Sequence, residues 1–87
     1  MTHPDLAQAA TVALTMRRSA RALMNLIAAA NPAGRMVIID SPEDGDDHAD
    51  LRLLGVIESA TLTPGVPRVR LTPFGIDVHR MAQGITP

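Results

Sequence analysis

Apolar residues recur with a helical period over residues 5–30. At about 100° per residue, Leu6, Ala9, Val12, Ala13, Met16, Ala20, Leu23, Met24 and Ile27 fall on one arc. Gln8, Thr11, Thr15, Arg18, Ala22 and Asn25 lie opposite. The pattern predicts one long N-terminal helix over 5–30, preceded by a loose terminus at Met1 to Pro4. Asn31-Pro32-Ala33-Gly34 ends the helix, because Pro32 disfavours helical geometry at Asn31 and Gly34 permits a turn. At about 1.5 Å per residue such a helix runs to ~40 Å, long for a small domain, so its second half is expected to project, bend or meet another subunit.

The pattern then changes. Met36 to Ile39 is apolar and rich in β-branched residues, which predicts a short strand. Ser41 can cap a helical turn with Pro42 at its first position, but Gly45 weakens a helix there. An irregular turn over Asp40 to Gly45 and a helix from about Asp47 to Leu54 are expected, with Leu51 and Leu54 facing inward. Gly55 suits the left-handed exit from that helix. Val56 to Leu62 and Arg68 to Leu71 read as a hairpin around the turn-rich Thr63 to Pro67. Val69 and Leu71 should face inward, and Arg68 and Arg70 outward. Thr72 caps a last helix with Pro73 at its first position; Phe74, Val78 and Met81 share its core face, and Gly84 ends it.

Composition narrows the picture. With 87 residues the chain is expected to form one domain. Phe74 is the sole aromatic residue, so Leu, Ile, Val and Met must carry the core. Without cysteine there is neither a disulfide framework nor a thiolate metal site. The start MTHPDL lacks the basic and apolar regions of a signal peptide, and no apolar run reaches spanning length, so a cytoplasmic protein without membrane contact is expected. The net charge of −1 conceals segregation. Arg17, Arg18 and Arg21 cluster early; Asp40, Glu43, Asp44, Asp46, Asp47 and Asp50 cluster in the middle; Arg68, Arg70 and Arg80 lie late.

Two stretches carry a family resemblance. Leu51-Arg52-Leu53-Leu54-Gly55-Val56-Ile57-Glu58 resembles the L-x-x-L-G-L-I-E with which many winged helices leave the recognition helix and enter the wing. Arg70-Leu71-Thr72-Pro73-Phe74-Gly75 resembles the R-L-T-P-x-G that closes the wing in MarR-like and PadR-like regulators. The stretch is also similar to a phage and bacterial winged-helix family of unknown function, with His48 where that family's helix-starting His would stand. The resemblance covers His48 to Ala82. It implies an α+β, winged-helix-like domain: long N-terminal helix, short strand, short helix, β-hairpin wing, C-terminal helix, with residues 47–82 as the helix-wing-helix unit. It also implies DNA binding. The chain departs from the family in two ways. Ile39 to Gly55 is short for the two helices of a helix-turn-helix, so that motif is shortened or degenerate. The helix in the recognition position begins amid carboxylates, which would repel a duplex.

Three functions follow as expectations, none of them enzymatic or dependent on a cofactor, the third being a structural or dimerisation module of a larger assembly. One is a small DNA-binding, transcriptional-regulator-like protein, dimeric through the N-terminal helix. Arg17, Arg18, Arg21, Arg52, Arg68 and Arg70 would hold the phosphates of double-stranded DNA. The alternative is an acidic protein-interaction module that meets a basic partner through Asp40, Glu43, Asp44, Asp46, Asp47 and Asp50. Small phage proteins that inhibit host defence, including anti-CRISPR proteins, use such patches. The bland readings stand beside these. Arg17, Arg18 and Arg21 can be a flank whose stems cover the core edge, Arg68 and Arg70 can discourage strand-edge pairing, and the acids can be a solvated helix start. A metal site among the acids fails on spacing, because no bidentate Glu stands where a calcium loop needs one. His48 with Asp44 or Asp47 is the only arrangement resembling an acid–base pair.

Overall fold

A computed structural model describes residues 4–85 of the chain. Four helices and three strands follow in the order α1 (Pro4–Thr15), α2 (Arg18–Ala29), β1 (Arg35–Met36), α3 (Pro42–Leu53), β2 (Ile57–Ser59), β3 (Arg68–Leu71) and α4 (Pro73–Ile85). The architecture is α+β and winged-helix-like, with β3 central in an antiparallel sheet of order β1-β3-β2. Residues 1–3 of the expected loose terminus lie outside the described residues, and Pro4 already belongs to α1.

The single N-terminal helix over 5–30 is corrected: the segment is two helices, broken at Met16 and Arg17. Arg17 is extended, with φ −61° and ψ 151°, and stands at the N-cap of α2 without a side-chain cap. No glycine or proline marks the break. Arg21, in the first turn of α2, bridges it. The Arg21 backbone N–H donates to the Arg17 carbonyl at 2.9 Å, opening α2, while its Nη2 donates at 2.9 Å to the Ala13 carbonyl near the end of α1. The first bond is the ordinary opening bond of α2, and the second satisfies a carbonyl that the end of α1 would otherwise leave unpaired. The break lets α1 pack along α4 while α2 packs against α3, β3 and α4. Ala9, Ala13, Met16, Ala20, Met24 and Ile27, all on the apolar arc, are buried in one core with Leu51, Val56, Val69 and Val78.

The helix expected from Asp47 begins five residues earlier. Ser41 Oγ accepts the Asp44 N–H at 3.2 Å, Pro42 sits in the first turn, and the helix runs through Gly45. The cap and two acidic residues at the positive end of the helix outweigh one glycine, worth about 1 kcal/mol relative to alanine. The expected strand Met36 to Ile39 is shorter and earlier. Its ladder stops because Val37 faces Pro67: the Val37 N–H donates to the Pro67 carbonyl at 2.9 Å, but proline returns no N–H. Ile38 and Ile39 consequently leave the sheet and are exposed. The Val56 to Leu62 strand likewise shortens to Ile57–Ser59.

The hairpin and its exit follow the sequence pattern. Ile57 pairs with Leu71, Glu58 with Arg70 and Ser59 with Val69. Val69 and Leu71 are buried, and Arg70 points outward. Gly55 has φ +76°, the left-handed geometry that turns the chain from α3 into β2. Thr72 Oγ1 accepts the Gly75 N–H at 2.8 Å and donates to the Gly55 carbonyl, tying the start of α4 to that turn. Gly84 does not end α4, which continues to Ile85. Thr72→Ala removes both bonds and is expected to destabilise the domain by about 1–2 kcal/mol, with Thr72→Ser retaining most of the stability. Urea unfolding followed by circular dichroism measures this; equal stability of the alanine variant would refute the cap's contribution.

Candidate functional site

Between β1 and β2 the described residues hold one helix, α3, where a helix-turn-helix would supply two. Its outward face carries Glu43, Asp46, Asp50, Ala49, Leu53 and Arg52. The acidic residues from Glu43 to Asp50 therefore occupy the first two and a half turns of the helix that leads into the hairpin.

The acids divide into two sets. Asp47 is 3% exposed and Asp50 is half-buried, and both are held by Arg17. Arg17 Nη2 lies 2.9 Å from Asp47 Oδ1 and 2.6 Å from Asp50 Oδ2. Ser19 Oγ donates to Asp47 Oδ1 at 3.0 Å. The reading of these acids as a solvated helix start is corrected for Asp47 and Asp50: they are anchors that fasten α3 to the start of α2. Asp44 accepts the Asp40 N–H at 3.0 Å through Oδ2 and so closes the turn into the helix. Asp40, Glu43 and Asp46 are exposed, and none of them forms an ion pair among the described residues.

The arginines divide as well. Arg17 is spent on Asp47 and Asp50, and Arg21 on the Ala13 carbonyl, with its Nε buried and unpartnered. Arg70 pairs across the strands with Glu58 at 3.0 Å, and Arg68 Nη1 donates to the Gly34 carbonyl at 3.3 Å. Of the six phosphate candidates, Arg18 and Arg52 alone have no side-chain hydrogen bond or ion pair among the described residues. They stand on α2 and α3 respectively, not together on the wing. The helix that was to carry dimerisation is absent as one rod, since both its halves bury their apolar faces in the domain's own core.

Of the grooves among the described residues that border α3, two lie at its ends. The larger, about 700 Å³, lies between α1 and the α3–β2 turn; Val12, Leu53, Leu54 and Phe74 line it, with no charged side chain among the described residues. The smaller, about 450 Å³, lies between α2 and the start of α3. Leu23, Leu26 and Ile38 form its apolar part, and Asp40, Glu43 and Asp44 stand along it. The pattern hinted at this floor. Leu26 is an apolar residue off the buried arc, and Ile38 belongs to an apolar run longer than its strand. Leu26 and Ile38 are each 49% exposed. His48 also lines the groove, its Nδ1 2.8 Å from the Asp44 carbonyl.

His48 and Asp44 therefore meet through a backbone carbonyl rather than a carboxylate, and among the described residues no hydroxyl or amine nucleophile bonds to the ring. Among the described residues no group of three histidines, aspartates or glutamates is placed to hold a metal ion, and no helix is long and apolar enough to cross a membrane. No protein-family model, curated protein or solved structure matches the chain.

Proposed function

We propose that this protein is a non-enzymatic interaction module that binds a basic protein surface through the acidic face at the start of α3. One observation carries the reading. Among the described residues Asp40, Glu43 and Asp46 are exposed and pair with no cation, whereas four of the six arginines that could serve phosphates are engaged within the chain. Charges left unpaired on a surface steer association with a partner of opposite sign. A duplex approaching α3 as it approaches a recognition helix would meet carboxylates first. The winged-helix-like frame then serves as a rigid support that presents one helix end, a use of the fold separate from reading DNA.

The test compares immobilised arginine-rich peptides with a random 20-base-pair duplex, using wild type and the double variant Glu43→Lys/Asp46→Lys at low salt. Wild type should bind the peptides, with affinity falling as salt rises, and the charge reversal should weaken binding by about tenfold or more. The duplex should not bind at micromolar protein. Salt-sensitive duplex binding that is lost on Arg18→Ala/Arg52→Ala would overturn the reading and favour the DNA-binding alternative.

A further inference from the structure

We infer that the groove between α2 and the start of α3 receives a single lysine or arginine side chain of that basic partner. The aliphatic stem lies on Leu23, Leu26 and Ile38, and the cationic head lies among Asp40, Glu43 and Asp44. This rests on the acidic-face reading and adds the identity of the group recognised. Three features of the groove select the occupant.

The first is the pairing of surfaces. Half-exposed Leu26 and Ile38 lie beside three carboxylates in one groove of about 450 Å³. A purely aliphatic side chain would cover the floor and leave carboxylates partly desolvated and unpaired, which is costly. A small cation would pair with the carboxylates and leave the floor wet. Lysine and arginine join a chain of methylenes to a cation, and so satisfy both surfaces at once.

The second is the state of the carboxylates. Asp47 also lines the groove, but Arg17 and Ser19 already occupy it. Asp40 and Glu43 have no such partner, and Asp44 uses one oxygen on the Asp40 N–H. Arg35 is the one cation lining the groove, so carboxylates without a cation still outnumber guanidinium groups there.

The third is His48. A backbone carbonyl can only accept, so Nδ1 carries the proton that it donates to Asp44. His48 also lines the groove, is 8% exposed, and has no hydrogen bond at Nε2 among the described residues. That nitrogen can accept from an N–H donor, which ammonium and guanidinium supply.

Three seven-residue peptides test this on the full chain, Ac-Ala-Ala-Leu-X-Leu-Ala-Ala-amide with X arginine, norleucine or diaminopropionic acid. These supply stem plus charge, stem alone and charge alone. Each is titrated into ¹⁵N-labelled protein and followed by amide chemical shifts. The arginine peptide should move the signals of Leu23, Leu26, Ile38 and His48 and bind at least about tenfold tighter than either control. Leu26→Ser and Asp40→Asn/Glu43→Gln should each remove most of that advantage; all three positions are exposed, so the fold survives and circular dichroism verifies it. If the arginine and diaminopropionic peptides bind equally, with shifts confined to Asp46 and Ala49 on the outer face, the groove inference is overturned while the acidic-face reading stands. If no peptide shifts any signal at millimolar concentration, the groove inference also fails, and the Glu43→Lys/Asp46→Lys comparison decides the acidic-face reading by itself.

Discussion

Gly75→Ala is expected to destabilise the domain by about 3 kcal/mol, the upper part of the usual range for overpacking. A Cβ built on Gly75 would lie 2.0 Å from the Val56 carbonyl oxygen and 2.9 Å from its carbon. Both obstacles are backbone, so no side chain can rotate away. Relief requires α4 to move off the α3–β2 turn. The same Val56 carbonyl accepts the Thr72 N–H at 3.0 Å, so that movement also strains the bond that starts α4. Beneath it lie Val56 and Val78, both fully buried. For a domain of this size each kcal/mol lowers the melting temperature by roughly 4–8 °C, so a loss of at least about 12 °C is expected. Thermal unfolding by circular dichroism measures it, with Gly84→Ala as the control: a Cβ at Gly84 meets nothing within 4 Å. Equal melting temperatures for the two variants would contradict the close approach of α4 to Val56.

Arg17→Ala should cost about 2–3 kcal/mol. Breaking a buried ion pair by removing one partner typically costs ~3–5 kcal/mol, because the other charge is left buried and unpaired. Here the stranded group is Asp47, whose side chain is 5% exposed and would retain only Ser19. The Arg17 side chain is 50% exposed, so water screens part of the interaction and the lower figure applies. Asp50, 46% exposed, rehydrates at little cost. The diagnostic is the second substitution. Asp47→Asn in the Arg17→Ala background removes the stranded charge and keeps an oxygen for Ser19, so the double variant should be more stable than the single one. Urea unfolding of the three proteins tests this. An Arg17→Ala variant as stable as wild type, or a double variant no better than the single, would show that the cluster does not fasten α3 to α2.

These two sites also separate what was legible along the chain from what was not. Gly75 stands in the stretch from Leu51 to Gly75, where each signal acts on near neighbours. Gly55 turns the chain, the alternation at Val69 and Leu71 orients the strand, and Thr72 with Pro73 starts the helix. Such preferences need only a few consecutive residues, so the order of hairpin and helix could be read directly. The apolar arc over 5–30 was legible for the same reason: its period places the buried side chains correctly in each half.

The break at Arg17 was not legible, because a straight helix and a broken one present the same period and no glycine or proline distinguishes them. What stabilises the break is long-range: Asp47 and Asp50 lie 30 and 33 residues away from the guanidinium they hold. The same contact changes the candidate site. Charge spacing placed Arg17 among phosphate ligands and Asp47 on an acidic surface, and the fold pairs them instead. The sequence by itself determined which residues are apolar, where the chain turns and caps, and which segments are acidic, since these depend on local geometry and composition. Only the tertiary structure decided which charges cancel within the chain and which remain for a partner, since electrostatic pairing depends on distance in space and sequence separation does not report it.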